Sequence, residues 1–242
     1  LDDDRVVLRV VDRDGRAGYP GNCTVTATYR LQPGGVLSVV YESTTDTSAL
    51  RIERLYNPFD VELIRSAARE PAPLPTAPYV VHVGRFSPQK RHELLLAACR
   101  QLPQTHQLVL LCHDQPALRA MIAHYGLTDR VVVAGFQPNP YPWIAAADLL
   151  VLCSDHEGMP SVLVEALLLG TPVVSTDCPS GPGEILQHGR FGRLVPCNDA
   201  PALASALSET LASPGVTVPF DPTPFLPGTA AERLEQLARE TD

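Results

Sequence analysis

The sequence predicts an α/β chain: an open parallel sheet with helices on both faces, preceded by a small antiparallel β segment. Two patterns predict it. From residue 79 onward, short and nearly continuous apolar runs alternate with runs of helical spacing, the mark of strands covered on both faces and joined by crossover helices. Before residue 51 the apolar and polar residues alternate instead, between turn signals, the mark of antiparallel hairpins.

The elements follow in order. RVVLRVVDRDG, NCTVTATYRL and GVLSVVYESTTDT read as three strands, joined at Asp14-Gly15, Tyr19-Pro20-Gly21-Asn22 and Pro33-Gly34-Gly35. Such a meander needs a surface to cover its apolar face. LYNPFDVELIRSAAREPAPLPTAP, within residues 51–78, reads as a Pro-rich connector. PYVVHVGRF is a strand ending in a glycine turn, KRHELLLAACRQL a helix and HQLVLLCHD a strand. QPALRAMIAHYG is a helix closed by Gly126. RVVVAGF is a strand, YPWIAAA a short helix, DLLVLCSD a strand, and SVLVEALLLG a helix closed by Gly170. TPVVSTD is a strand, PGEILQHG a helical turn, RFGRLVP a short strand and DAPALASALSETLAS a helix. Residues 214–242 hold a Pro-rich tail and a last amphipathic helix, GTAAERLEQLARE.

Composition narrows the function. A net charge of -8 argues against nucleic acid as the main partner. No apolar run approaches the ~18 residues of a membrane span, and LDDDRVVLRV lacks a signal-peptide core. The expected location is the cytoplasm, at the inner face of the membrane where a partner domain supplies contact. The chain lacks an initiator Met and is expected to begin inside a longer reading frame or to be processed. Cys23, Cys99, Cys112, Cys153, Cys178 and Cys197 form no CxxC pair, and most sit in apolar runs. Reduced, buried thiols are the expectation, and the sequon at Asn22 is then chance.

Ligands of a doubly wound sheet bind outside the carboxyl ends of its strands. Gly84, Arg85 and Lys90 fall there after the first parallel strand, and Asp155 to Pro160 after DLLVLC. Gly84 lets the backbone pass close to a ligand. Arg85 and Lys90 offer cations suited to a diphosphate; the plain alternative is that they solvate a loop and a helix start. Glu157 and Glu165 are acceptors for paired hydroxyls of a sugar or ribose, and Glu165 shares a helix face with Ser161. The plain alternatives are an acid favoured by the helix dipole and a solvated helix residue. His113 and His156 read as structural histidines. No metal-ligand spacing and no nucleophilic triad is present in the sequence.

Together YNPFD, VGRFSPQKRHELLLAA, VVVAGFQPNPYPWIAAADLLVLCSDHEGMPSVLVEALLLGTPVVSTDCPSGPGEIL and GRLVP, with an E-x7-E pair at Glu157 and Glu165, make residues 56–213 resemble one family. It is the donor-binding, Rossmann-like C-terminal half of GT-B-fold retaining glycosyltransferases of family 4, of the bacterial polysaccharide type. The resemblance implies that Arg85 and Lys90 hold the diphosphate of a UDP- or GDP-sugar, that Glu157 is catalytic beside the donor sugar, and that Glu165 binds the ribose. Gly84, Gly158, Met159, Pro160 and Ser161 would line the sugar and phosphate pocket, and Phe136 the base. It implies a glycan or lipid-linked acceptor, no cofactor and no metal. Residues 1–47 resemble part of aldose 1-epimerase, through DGRAGYPGN and YESTTD, without that family's catalytic residues. The resemblance therefore implies a junction of two gene fragments, expected to hold mainly the donor site and to bind without efficient transfer. A non-catalytic sugar-nucleotide-binding remnant and an epimerase-related carbohydrate-binding protein are the alternatives.

Overall fold

The structure, a computed structural model, describes residues 5–12, 23–32, 36–45, 55–213 and 219–240. These divide between two compact units: one drawn from Leu1–Asn57 and Pro227–Asp242, the other Pro58–Leu226.

In the first unit, β1 (Arg5–Asp12), β2 (Cys23–Gln32) and β3 (Val36–Thr45) form an antiparallel meander in that order. Val7, Leu8, Val11 and Val25 are each more than 40 % exposed. The three turn segments of the expected hairpins, and the DGRAGYPGN stretch up to Asn22 of the sequon, lie outside the described residues. The unit's helix, α8 (Pro227–Glu240), covers the expected C-terminal helix.

The second unit carries the parallel sheet. Its strands are β4 (Tyr79–Val83), β5 (Gln107–Leu111), β6 (Val131–Val133), β7 (Leu149–Leu152), β8 (Val173–Thr176) and β9 (Arg193–Val195). Every pairing is parallel, and the order is β6-β5-β4-β7-β8-β9. The chain winds outward from β4 in one direction, then returns to β7 and winds outward in the other. This is the doubly wound order, whose ligand crevice opens where the direction reverses. The reversal lies between β4 and β7.

Alternation along each strand divides the core into two layers. Val80, Leu108, Leu110, Leu149, Val151 and Val174 face one layer. There they meet α2 (His92–Cys99), α3 (Pro116–His124) and α7 (Ala200–Ala212) through Leu95, Leu118 and Leu203, all buried. On the other layer lie α4 (Tyr141–Ala145) and α5 (Ser161–Leu169), packed together, with the short α6 (Pro182–Ile185) against α5. Burial of each large aliphatic side chain contributes about 1.5–3 kcal/mol, and a strand covered on both faces has no polar face to spare.

Within the expected connector the chain forms a helix, α1 (Val61–Ala67), which packs on α4 and α5. Asp60 caps it, accepting a hydrogen bond from the Leu63 amide at 2.9 Å, and Ile64 is buried beneath it. Seven residues between prolines are too short to display a helical period. The tail returns to the same unit: the Phe59 amide donates to the Phe225 carbonyl at 2.8 Å. A short 3-10 turn at Thr223–Phe225 carries that carbonyl.

Candidate functional site

The β4 and β7 strands end side by side at the reversal point, and their loops are stitched together. After β4 the chain makes a 3-10 turn, Pro88–Lys90, and enters α2 through Arg91 in the left-handed region, φ 50°. The Asp155 amide donates to the Gln89 carbonyl at 3.0 Å. The Gln89 side-chain amide donates to the His156 carbonyl at 2.6 Å, and the Cys153 thiol to the Lys90 carbonyl at 3.1 Å. Across this seam, Lys90 Nζ donates to Glu157 Oε1 at 2.6 Å. The two side chains are only 17 % and 10 % exposed. Gly84 makes room for the lysine: a Cβ there would stand 3.3 Å from Lys90 Cδ and 3.4 Å from Cε. Its lack of a side chain is what lets the lysine stem cross the end of β4.

The chain beyond Glu157 is fixed from a third direction. The Ser180 hydroxyl, in the loop after β8, lies 2.6 Å from the Glu157 carbonyl and 2.7 Å from that of Pro179. Neighbouring Gly181 has φ 87° and ψ −75°. A Cβ on it would stand 2.5 Å from Pro160 Cδ and 2.7 Å from the Gly158 carbonyl oxygen. Gly158, Met159 and Pro160 therefore run between Gly181 and the amino end of α5, where Pro160 is the cap residue and Ser161 the first helical residue. One turn on, burial raises the Glu165 carboxyl above the usual carboxylate range, partly offset by a hydrogen bond from Ser161. Burial and the Glu165 charge in turn raise the Tyr141 phenol, which places Tyr141 beside this second acid.

Arg85 is exposed at the end of β4 and makes no hydrogen bond or ion pair among the described residues. Phe136, beyond β6, is 64 % exposed and stacks on His113 with ring centroids 5.5 Å apart. The stack stands at the ends of β5 and β6, on the far side of β4 from β7. Among the described residues no hydrogen bond or ion pair joins it to the Lys90–Glu157 pair.

Sequence reasoning passed over Gln89, Tyr141 and two histidines. Gln89 and Tyr141 act through contacts distant in sequence. The histidines had a visible signal in His82, a polar residue inside the apolar run YVVHV. His82 and His92 are each 1 % exposed, with ring centroids 4.9 Å apart, edge to face. His82 Nδ1 donates to the Val151 carbonyl at 3.0 Å, since a carbonyl can only accept. Among the described residues its Nε2 and both nitrogens of His92 have no hydrogen-bond partner. Burial, then the neighbouring His92, push His82 down to about 3. Burial takes His92 to about 4, with Glu93 opposing and Lys90 assisting. Both folded values lie below the ordinary 6.5, so the unfolded chain takes up protons that the folded chain refuses. Stability is therefore full above pH 6.5 and falls as pH drops through about 4, for His92, to about 3, for His82. Replacing His92 by Phe removes two unsatisfied nitrogens. Urea titrations should show the acid-side slope reduced by up to about 1.4 kcal/mol per pH unit, with no loss of stability at pH 8. An unchanged slope would contradict the assignment.

A cavity of about 550 Å³ opens at the other end of the sheet, between Pro172, Arg190, Phe191, Arg193 and Phe220. It lies at the amino ends of β8 and β9, away from the strand ends that carry the paired charges. Its lining brings no set of convergent polar groups like that at the carboxyl edge, which selects the carboxyl edge as the candidate site. Among the described residues no group of three or more His, Cys, Asp or Glu is arranged to hold a metal ion. None of the described helices is long and apolar enough to cross a membrane. Cys99, Cys112, Cys153, Cys178 and Cys197 are free thiols.

A doubly wound sheet with a lysine–glutamate pair at its reversal point has the architecture on which α/β domains bind ligands. Residues 77–213 match the family described as Glycosyl transferases group 1, and the chain belongs to it. It is 32 % identical over 166 residues to the N-acetylgalactosamine-N,N'-diacetylbacillosaminyl-diphospho-undecaprenol 4-alpha-N-acetylgalactosaminyltransferase of Campylobacter jejuni. That match covers 68 % of this chain and 45 % of the relative. It is 34 % identical over 137 residues to a lipopolysaccharide core biosynthesis glycosyltransferase of Rhizobium meliloti, covering 56 % of this chain and 40 % of the relative. The chain thus spans less than half the length of these relatives. Its fold is similar to that of Anabaena HepE, solved with UDP and glucose, at a TM-score of 0.65 and 24 % identity, covering 76 % of this chain and 56 % of that one.

Proposed function

We propose that this chain is the donor-binding half of a retaining GT-B glycosyltransferase that moves a sugar from a UDP- or GDP-sugar to a glycan or lipid-linked acceptor. The observation that carries the reading is the Lys90–Glu157 pair at the reversal point of the sheet. It sets a cation and a hydroxyl acceptor side by side where doubly wound folds bind nucleotides. Arg85, unpaired and exposed beside it, adds a second cation for the diphosphate. Glu157 stands at the donor sugar and Glu165, held by Ser161, at the ribose. Gly84, Gly158, Met159 and Pro160 give the ligand close backbone approach, and Phe136, stacked on His113, offers a face for the base. Two side-chain cations can balance the diphosphate charge without a metal. Relatives named for transfer to a diphospho-undecaprenol sugar and for lipopolysaccharide core synthesis support a glycan or lipid-linked acceptor, reached at the inner face of the membrane.

In this reading a partner region supplies the acceptor half, so the chain by itself binds donor without efficient transfer. Calorimetric titration with UDP- and GDP-sugars is expected to give saturable binding to one of them, weakened in Arg85→Ala. Absence of binding to either, at millimolar ligand, would refute the reading.

A further inference from the structure

We propose that the Lys90–Glu157 pair is a latch that makes the site prefer a nucleoside diphosphate bearing a sugar over the same diphosphate bare. The inference rests on the donor-site reading above and goes beyond it, since it assigns the pair a discriminating role that neither residue has alone.

In the ligand-free arrangement Lys90 is committed to Glu157 at 2.6 Å, with little water around either group. A diphosphate must draw Lys90 away, which leaves Glu157 as a carboxylate only 10 % exposed. An uncompensated buried charge is costly. Nor can the acid move far to find water. Its own carbonyl faces the Ser180 hydroxyl at 2.6 Å, and the carbonyl before it accepts from Gln89 at 2.6 Å. Glu157 must therefore be satisfied where it stands.

A sugar on the diphosphate satisfies it there. Sugar hydroxyls are hydrogen-bond donors to a carboxylate, so Lys90 and Glu157 exchange one partner for two and no charge is stranded. A bare nucleoside diphosphate brings no hydroxyl beyond its diphosphate, where Glu157 stands. Its terminal phosphate carries an additional negative charge near neutral pH and would sit against the stranded acid. The same closure helps to expel the bare nucleotide once the sugar has left, because Lys90 returns to Glu157. Nothing here requires a bond to form or break.

The test compares wild type, Glu157→Gln, Lys90→Met and the double variant by calorimetry, with UDP, GDP, UDP-glucose and GDP-mannose as probes. Gln keeps the shape and an acceptor oxygen but removes the charge. Glu157→Gln is expected to bind the bare nucleotide about tenfold more tightly than wild type while the sugar nucleotide gains nothing or weakens, so the preference reverses. In the Lys90→Met background no latch remains, and the substitution should give only the smaller gain that comes from removing the repulsion between Glu157 and the diphosphate. Bare-nucleotide affinity unchanged or reduced in Glu157→Gln overturns the latch and leaves the donor-site reading standing. An equal gain in the Lys90→Met background also overturns it. Absence of binding by every form to every probe overturns the donor-site reading and the latch together.

Discussion

Lys90→Met is expected to weaken sugar-nucleotide binding by about 100-fold, roughly 2.7 kcal/mol. Two losses add. The diphosphate loses its nearest fixed cation, and Glu157 keeps a negative charge at the place where that diphosphate must lie. The second loss makes the effect larger than that of Arg85→Ala, because Arg85 is exposed and has no acid to strand. Calorimetry on folded variant checks it. A Lys90→Met loss smaller than the Arg85→Ala loss would contradict the central place given to the pair.

Gly181→Ala is expected to destabilise the second unit by about 2–5 kcal/mol and to abolish detectable donor binding. At φ 87° and ψ −75° an L side chain is strained before any contact is counted. The new Cβ would then overlap both Pro160 Cδ at 2.5 Å and the Gly158 carbonyl at 2.7 Å. Neither neighbour is a flexible side-chain end. Relief must come from moving the Gly158–Pro160 strip, and with it the start of α5 and the Glu157 backbone. Gly158→Ala provides the contrast. A Cβ there meets nothing within 4 Å, so stability should change by no more than about 0.5 kcal/mol while donor binding weakens if the ligand passes that backbone closely. Urea unfolding followed by Trp143, the only tryptophan of the sequence and buried in α4, measures both. Equal stability of the two variants would contradict the account.

Most of the parallel sheet was legible because its strands and helices differ in period and each glycine stop coincides with a change of element. Gly126 and Gly170 follow α3 and α5 with positive φ, as expected of helix ends. The strand order was not legible, since nothing in the YVVHV or LLVL runs says that β4 and β7 are neighbours. That adjacency makes the site. Ser161 and Glu165 could be paired from their spacing on one helix, and they are. Lys90 and Glu157 lie 67 residues apart, and sequence reasoning assigned them to different parts of a ligand rather than to each other. Helix α1 was hidden for a different reason: its seven residues are flanked by prolines, and its burial depends on α4 and α5. The roles of Met159 and Phe136, and the aldose 1-epimerase likeness of residues 1–47, rest on sequence resemblance.

The most direct measurement is residue-level mapping of the nucleotide on the chain. A 15N-labelled sample titrated with UDP- and GDP-sugars should show amide shifts clustered at Gly84, Arg85, Gly158, Ser161 and Gly181, at the carboxyl ends of β4, β7 and β8. Shifts confined to Gly170, Arg190, Gly192 and Phe220, around the cavity at the amino ends of β8 and β9, would contradict the account and move the site to the other side of the sheet.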